Sequence, residues 1–119
     1  MSGAVLEVPA DPRMGVTLRA FVTAVANDLG APADQVDDLA LAVSELLASA
    51  IEGGSRRLRI ELLDDDDGWT LLADGIGDIR SAPADLPYRR VDLLTGLFPS
   101  ISVEGAKATI RSATAPSDR

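Results

Sequence analysis

The sequence contains no cysteine and no histidine. The first absence excludes disulfides, thiolate metal sites, iron–sulfur clusters and cysteine nucleophiles. The second excludes a Ser-His-Asp triad, a histidine general base, an imidazole metal ligand and a phosphohistidine relay on this chain. Ser44, Ser49 and Ser55 therefore have no imidazole to activate them and read as structural. Aromatic residues are scarce, with two Phe, one Tyr and one Trp, too few for a surface on which nucleobases stack. Positive charge is in the minority: 11 Lys and Arg against 19 Asp and Glu leave a net charge of −8, which opposes phosphate backbones and anionic headgroups. Charges interrupt every apolar run within a few residues, and no basic segment precedes an apolar one near Met1. The expectation is a cytoplasmic protein with neither nucleic acid nor membrane among its partners.

What is present is a globular balance. The 119 residues are 46% hydrophobic and 25% charged, enough for one core and not two. A single domain is expected over residues 1–113, followed by a frayed tail over 114–119. Residues 4–8 form a β-type run that ends at Pro9, and Asp11-Pro12 reads as a helix cap with proline in the first turn. Met14, Leu18, Phe21, Val22, Val25 and Leu29 recur at three and four, predicting an amphipathic helix over about 12–29 that stops at Gly30. A longer helix follows the Pro32 turn. Val36, Leu39, Ala40, Val43, Leu46, Leu47, Ala50 and Ile51 form its apolar stripe, and Gly53-Gly54 ends it.

From Arg56 the period becomes two. Leu58, Ile60 and Leu62 alternate with charged residues, the aspartate run Asp64 to Asp67 with Gly68 makes a turn, and Trp69 to Ala73 returns as a second strand. Residues 74–90 carry repeated glycine and proline without a sustained period and read as a loop, with a short helix at about 90–97. Ile101, Val103, Ala108 and Ile110 then alternate around Gly105 as a second hairpin. Two early helices can cover only one face of such a sheet. The predicted class is α+β, a two-layer α/β sandwich whose mixed, mostly antiparallel sheet is covered on one face by helices. Leu18, Phe21, Val22, Val25, Leu39, Val43, Leu46, Leu47, Ile60 and Leu62 are its expected core.

Two patterns carry possible chemistry. Glu45 and Ser49 are four apart on the long helix and share a face, with Asp38, Leu41 and Glu52 near the same stripe; a solvated polar face is the plainer reading of such a pair. Asp74-Gly75-Ile76-Gly77-Asp78 leaves the end of a strand, where glycines let backbone approach a ligand and Asp74 can accept a hydrogen bond; a tight turn also uses these residues. The four adjacent carboxylates of the hairpin tip lack the alternate spacing of a calcium loop and suit a charged tip that discourages edge pairing.

With these elements assembled, the chain resembles the anti-sigma-factor serine/threonine kinase family of the GHKL, or histidine kinase-like, ATPase superfamily. The resemblance rests on Leu6-Glu-Val-Pro-Ala-Asp-Pro, on the first helix, and above all on Val36-Asp-Asp-Leu-Ala-Leu-Ala-Val-Ser-Glu-Leu-Leu-Ala-Ser-Ala-Ile. It implies the histidine kinase/Hsp90-like ATPase fold and assigns Glu45 to the family's general base. Ser49 stands where the family has an Asn that binds the magnesium of ATP, and a hydroxyl is a shorter, poorer ligand. In the family's Asp-x-Gly-x-Gly box the Asp reads adenine. If Gly75 and Gly77 take the glycine positions, Ala73 replaces that Asp; if Asp74 takes it, the box is one residue short. The lid before the last helix holds one glycine, Gly96.

The resemblance therefore implies a regulatory domain that binds a sigma factor or an anti-anti-sigma protein, possible as a homodimer, with kinase activity lost and Mg-ATP bound weakly or not at all. Its alternative is an active ATP-dependent serine protein kinase that phosphorylates an anti-sigma-factor antagonist, with Glu45 as base, Asp74, Gly75 and Gly77 at the nucleotide, and Ser49 as the one weak magnesium ligand. For the hairpin tip, Asp65→Asn should change stability by less than about 0.5 kcal/mol, with or without calcium, as surface changes do. Urea denaturation in both buffers checks it, and a larger loss reversed by calcium would restore the metal reading.

Overall fold

A computed structural model describes residues 3–65, 68–80 and 86–112. Strand β1 (Gly3–Pro9) leads through a 3-10 turn, Pro12–Met14, into helix α1 (Gly15–Asp28), and α2 (Ala33–Glu52) returns beside it. Strands β2 (Arg57–Asp65) and β3 (Gly68–Asp74) form the first hairpin. Helix α3 (Arg90–Leu97) precedes the second hairpin, β4 (Ser102–Glu104) and β5 (Lys107–Arg111). The sheet order is β1-β2-β3-β5-β4.

All four pairings among the described residues are antiparallel, as a mostly antiparallel sheet requires, and no parallel pair is found among them. The reason is the even number of helices between β1 and β2. α1 carries the chain away and α2 brings it back to the end it left, where Pro9 lies opposite Arg57 and the Ala10 N–H donates to the Arg56 carbonyl at 3.0 Å. β2 can then only run back along β1. The single predicted helix over 12–29 is also resolved into two parts. Asp11 caps the 3-10 turn by accepting from the Arg13 N–H at 2.8 Å, and α1 proper starts at Gly15. The Arg13 side chain and backbone N–H together hold the Asp11 carboxyl down at about 2. α2 ends where Gly54 takes φ +74°, a conformation that costs glycine little, and Ser55 N–H reaches back to the Ala50 carbonyl.

The core lies between the helix pair and the inner face of the sheet. Leu58, Ile60, Leu62, Leu71 and Ile110 project from the strands against Leu18, Val22, Leu39, Val43 and Leu46, all fully buried. Phe21 and Val25, expected among these, are only half-buried at the margin of the core. Trp69 joins three elements: its ring meets Phe98 edge to face at 5.7 Å, and its indole N–H donates to Gln35 at 2.9 Å. The segment read as a loop is anchored as well, because Ile76 and Ile79 are buried. Asp66 and Asp67 of the aspartate run, residues 81–85 and the tail over 114–119 lie outside the described residues. No helix among the described residues is long and apolar enough to cross a membrane.

Leu46 sits at the centre of the helix–sheet contact. Leu46→Ala should cost about 2 to 4 kcal/mol, lost transfer energy plus the cavity left behind, read as a lower urea midpoint with unchanged slope. A loss below a few tenths would place α2 on the wrong face.

Candidate functional site

The polar edge of α2 faces the segment that follows β3. Glu45, Ser49 and Glu52 lie at successive turns on this edge, and α3 closes over it. Glu45 and Glu52 are bridged by one cation, Arg90. Its Nε donates to a Glu45 carboxylate oxygen at 3.2 Å, and its two terminal nitrogens donate in parallel to the two oxygens of Glu52, one at 3.0 Å. The Arg90 side chain is 7% exposed, against 19% for Glu45 and 45% for Glu52. Burial pulls the Arg90 pKa down, but the hydrogen bonds and charges of Glu52 and Glu45 outweigh it and leave the group above its ordinary value. The guanidinium thus stays charged, and one oxygen of Glu45 is already in use as its acceptor.

Ser49 is brought next to the glycine loop and away from solvent. It is 3% exposed, and its hydroxyl makes no hydrogen bond with any described residue. Gly77 lies directly over it at φ +72°: a Cβ there would stand 2.4 Å from the Ser49 carbonyl oxygen and 3.2 Å from the hydroxyl. Gly53 meets the same loop, with its Cβ position 3.0 Å from the Gly77 Cα. Close packing of backbone on backbone is therefore what these glycines permit. Gly75 does the same on β2, where a Cβ would stand 2.4 Å from the Arg57 carbonyl, and its N–H donates to Ala106 at 2.9 Å.

Asp74 and Ala73 are on opposite faces of the sheet because side chains alternate along a strand. Ala73 is buried against the helix layer, while Asp74 is exposed on the outer face between Arg59 and Lys107. Of the residues singled out in the sequence, Glu45, Ser49 and Gly77 converge with Glu52, Gly75 lies at the margin, and Asp74 points away. At the end of β3, the inward position facing α2 belongs to Ala73.

Arg90 was not found from the sequence, since its partners are 45 and 38 residues away. One local signal exists. A cation at the first residue of a helix opposes the helix dipole, so Arg90 breaks a local preference that only distant carboxylates offset. Arg90→Met should lower stability by about 1 to 3 kcal/mol, the buried-pair range reduced for the solvent exposure of Glu52. Adding Glu45→Gln and Glu52→Gln should recover most of that loss in urea denaturation, because the penalty comes from carboxylates left without their cation.

The comparison with known families agrees with this architecture. Residues 8–90, from the end of β1 to Arg90 itself, match the histidine kinase-like ATPase domain. No curated protein matches the chain. The match runs from the last residues of β1 through both long helices, β2 and β3, and the open antiparallel sheet with its helix layer fits the same fold; the chain belongs to the histidine kinase-like ATPase domain family.

Proposed function

We propose that this chain is a regulatory member of its family that works by docking a protein partner and does not use ATP. The observation that carries the reading is the Arg90 clamp. A general base must have a free lone pair within hydrogen-bond reach of the proton it takes. One Glu45 oxygen accepts the Arg90 Nε–H, which ties the carboxylate to α3 and leaves it only the second oxygen for any proton donor. The donors for magnesium and adenine are equally deficient. The Ser49 hydroxyl is buried beneath Gly77, and the inward position at the end of β3 carries the methyl group of Ala73. These residues do not fit Mg-ATP.

The apolar framework of the fold is intact around this altered site, which supports a role in binding in place of catalysis. The resemblance to anti-sigma factors supports a sigma factor or an anti-anti-sigma protein as the partner. A charge of −8 favours encounter with a basic docking surface.

Titration calorimetry with Mg-ATP and Mg-ADP should give affinity at least about a hundredfold below that of a family member with intact boxes, as expected when a buried hydrogen bond to charge and a metal ligand are both missing. Candidate sigma factors and antagonists should bind equally well in magnesium-free buffer treated to remove nucleotide. Micromolar Mg-ATP affinity that disappears in Glu45→Ala would overturn the reading.

A further inference from the structure

A cavity of about 320 Å³ opens between the start of α1 and the second half of α2. Pro12, Leu47, Ala48 and Ile51 supply its apolar lining, and Arg19, Ser44 and Glu52 its polar groups. At 3.6 residues per turn, Ser44 and Ile51 point about 150° away from Ser49, so this cavity is separate from the edge of α2 on which Gly77 packs. Its size lies at the small end of the range for cavities that hold small molecules.

Gly15 makes the room. Its φ of −58° is ordinary for a helix, so backbone conformation does not call for glycine, and glycine stabilises a helix less than alanine does. A Cβ there would stand 3.1 Å from a terminal nitrogen of Arg19 and 3.9 Å from the Leu47 side chain. Without it, the Arg19 guanidinium lies back over the first turn of α1. Its Nη1 donates to the Ser44 hydroxyl at 3.3 Å, and that hydroxyl donates to the Ala40 carbonyl at 3.0 Å. Arg13, Arg57, Arg59, Arg89 and Arg90 each hold a carboxylate, whereas Arg19 holds none among the described residues. The rest of its planar fork is open to an anion.

We propose that this cavity binds a small monocarboxylate with an apolar tail, its carboxylate on the Arg19 fork and its tail against Leu47, Ala48 and Ile51. A planar carboxylate matches a guanidinium with two parallel hydrogen bonds. Glu52, the carboxylate that lines the cavity, has both oxygens held by Arg90, which offsets its charge. A ligand with one negative charge therefore meets little repulsion, while a doubly charged phosphate ester meets more. The Arg90 clamp thus has a second effect, keeping the cavity receptive to an anion in a chain of net charge −8.

Octanoate titrated into the isotope-labelled full chain should shift the backbone NMR signals of Gly15, Arg19, Ala48 and Ile51 to saturation. Octanamide, alike in shape but uncharged, should bind at least about tenfold more weakly, as expected when a hydrogen bond to charge is lost. Acetate and inorganic phosphate, which bring charge without a tail, should also bind more weakly than octanoate. Arg19→Met should weaken octanoate binding by about ten- to a hundredfold. Gly15→Ala should weaken it too while leaving the urea midpoint unchanged or higher, since alanine favours the helix and crowds the guanidinium; loss of binding by misfolding is thereby told apart from loss of the site. No saturation at millimolar octanoate, equal binding of octanamide, shifts centred on the sheet, or an Arg19→Met chain that binds like wild type would overturn the proposal. Because the cavity is separate from the edge that carries Glu45 and Ser49, none of these outcomes bears on whether the chain binds nucleotide or docks a protein.

Discussion

A guanidinium withdrawn from water must be neutralised where it lies, and the position of everything around α3 follows from how Arg90 meets that demand. Two carboxylates from one edge of α2 answer it, Glu52 with both oxygens and Glu45 with one. Taking the guanidinium out of water costs several kcal/mol, and the arrangement persists because each of its three nitrogens donates to a carboxylate oxygen. The start of α3 is thereby held against α2. Leu94 and Phe98 then fall into the core, and Phe98 meets Trp69 edge to face. The same contact engages Glu45 and Glu52 on the polar edge of α2.

The glycine loop reaches the same outcome by sterics. Ile76 and Ile79 anchor it in the core on either side of Gly77, so the backbone at Gly77 is drawn down onto Ser49. Any side chain at Gly77 would collide with the α2 carbonyl, and the missing Cβ lets the loop close onto Ser49. Charge at one end and close packing at the other fix the polar edge of α2 within an intact apolar framework. A scaffold can keep its core while its site chemistry varies, since core packing and site chemistry rest on different residues.

The sheet divides its two faces as sharply. The inner face is apolar from Leu58 through Leu71 to Ile110, and the outer face carries charges in register across every strand. A one-residue difference along β3, from Ala73 to Asp74, moves a side chain from the helix layer to that charged row. The two alignments that the sequence left open for the Asp-Gly motif are thus separated by strand pleat, with Ala73 on the side of α2.

By itself the sequence determined the elements and the class. Hydrophobic periods of 3.6 and 2 are local properties, and they place α1, α2 and the two hairpins within a few residues because each must bury one stripe or one face. It also determined membership of the histidine kinase-like ATPases, which the match over residues 8–90 supports. Pairing direction, the split of α1 from the 3-10 turn, and the half-exposure of Phe21 and Val25 depend on how finished elements dock, which no short window of sequence contains. The site was decided at the same level. Arg90 gains its role only when folding brings it to carboxylates 38 and 45 residues away, and a contact of that range leaves no periodic trace in the chain.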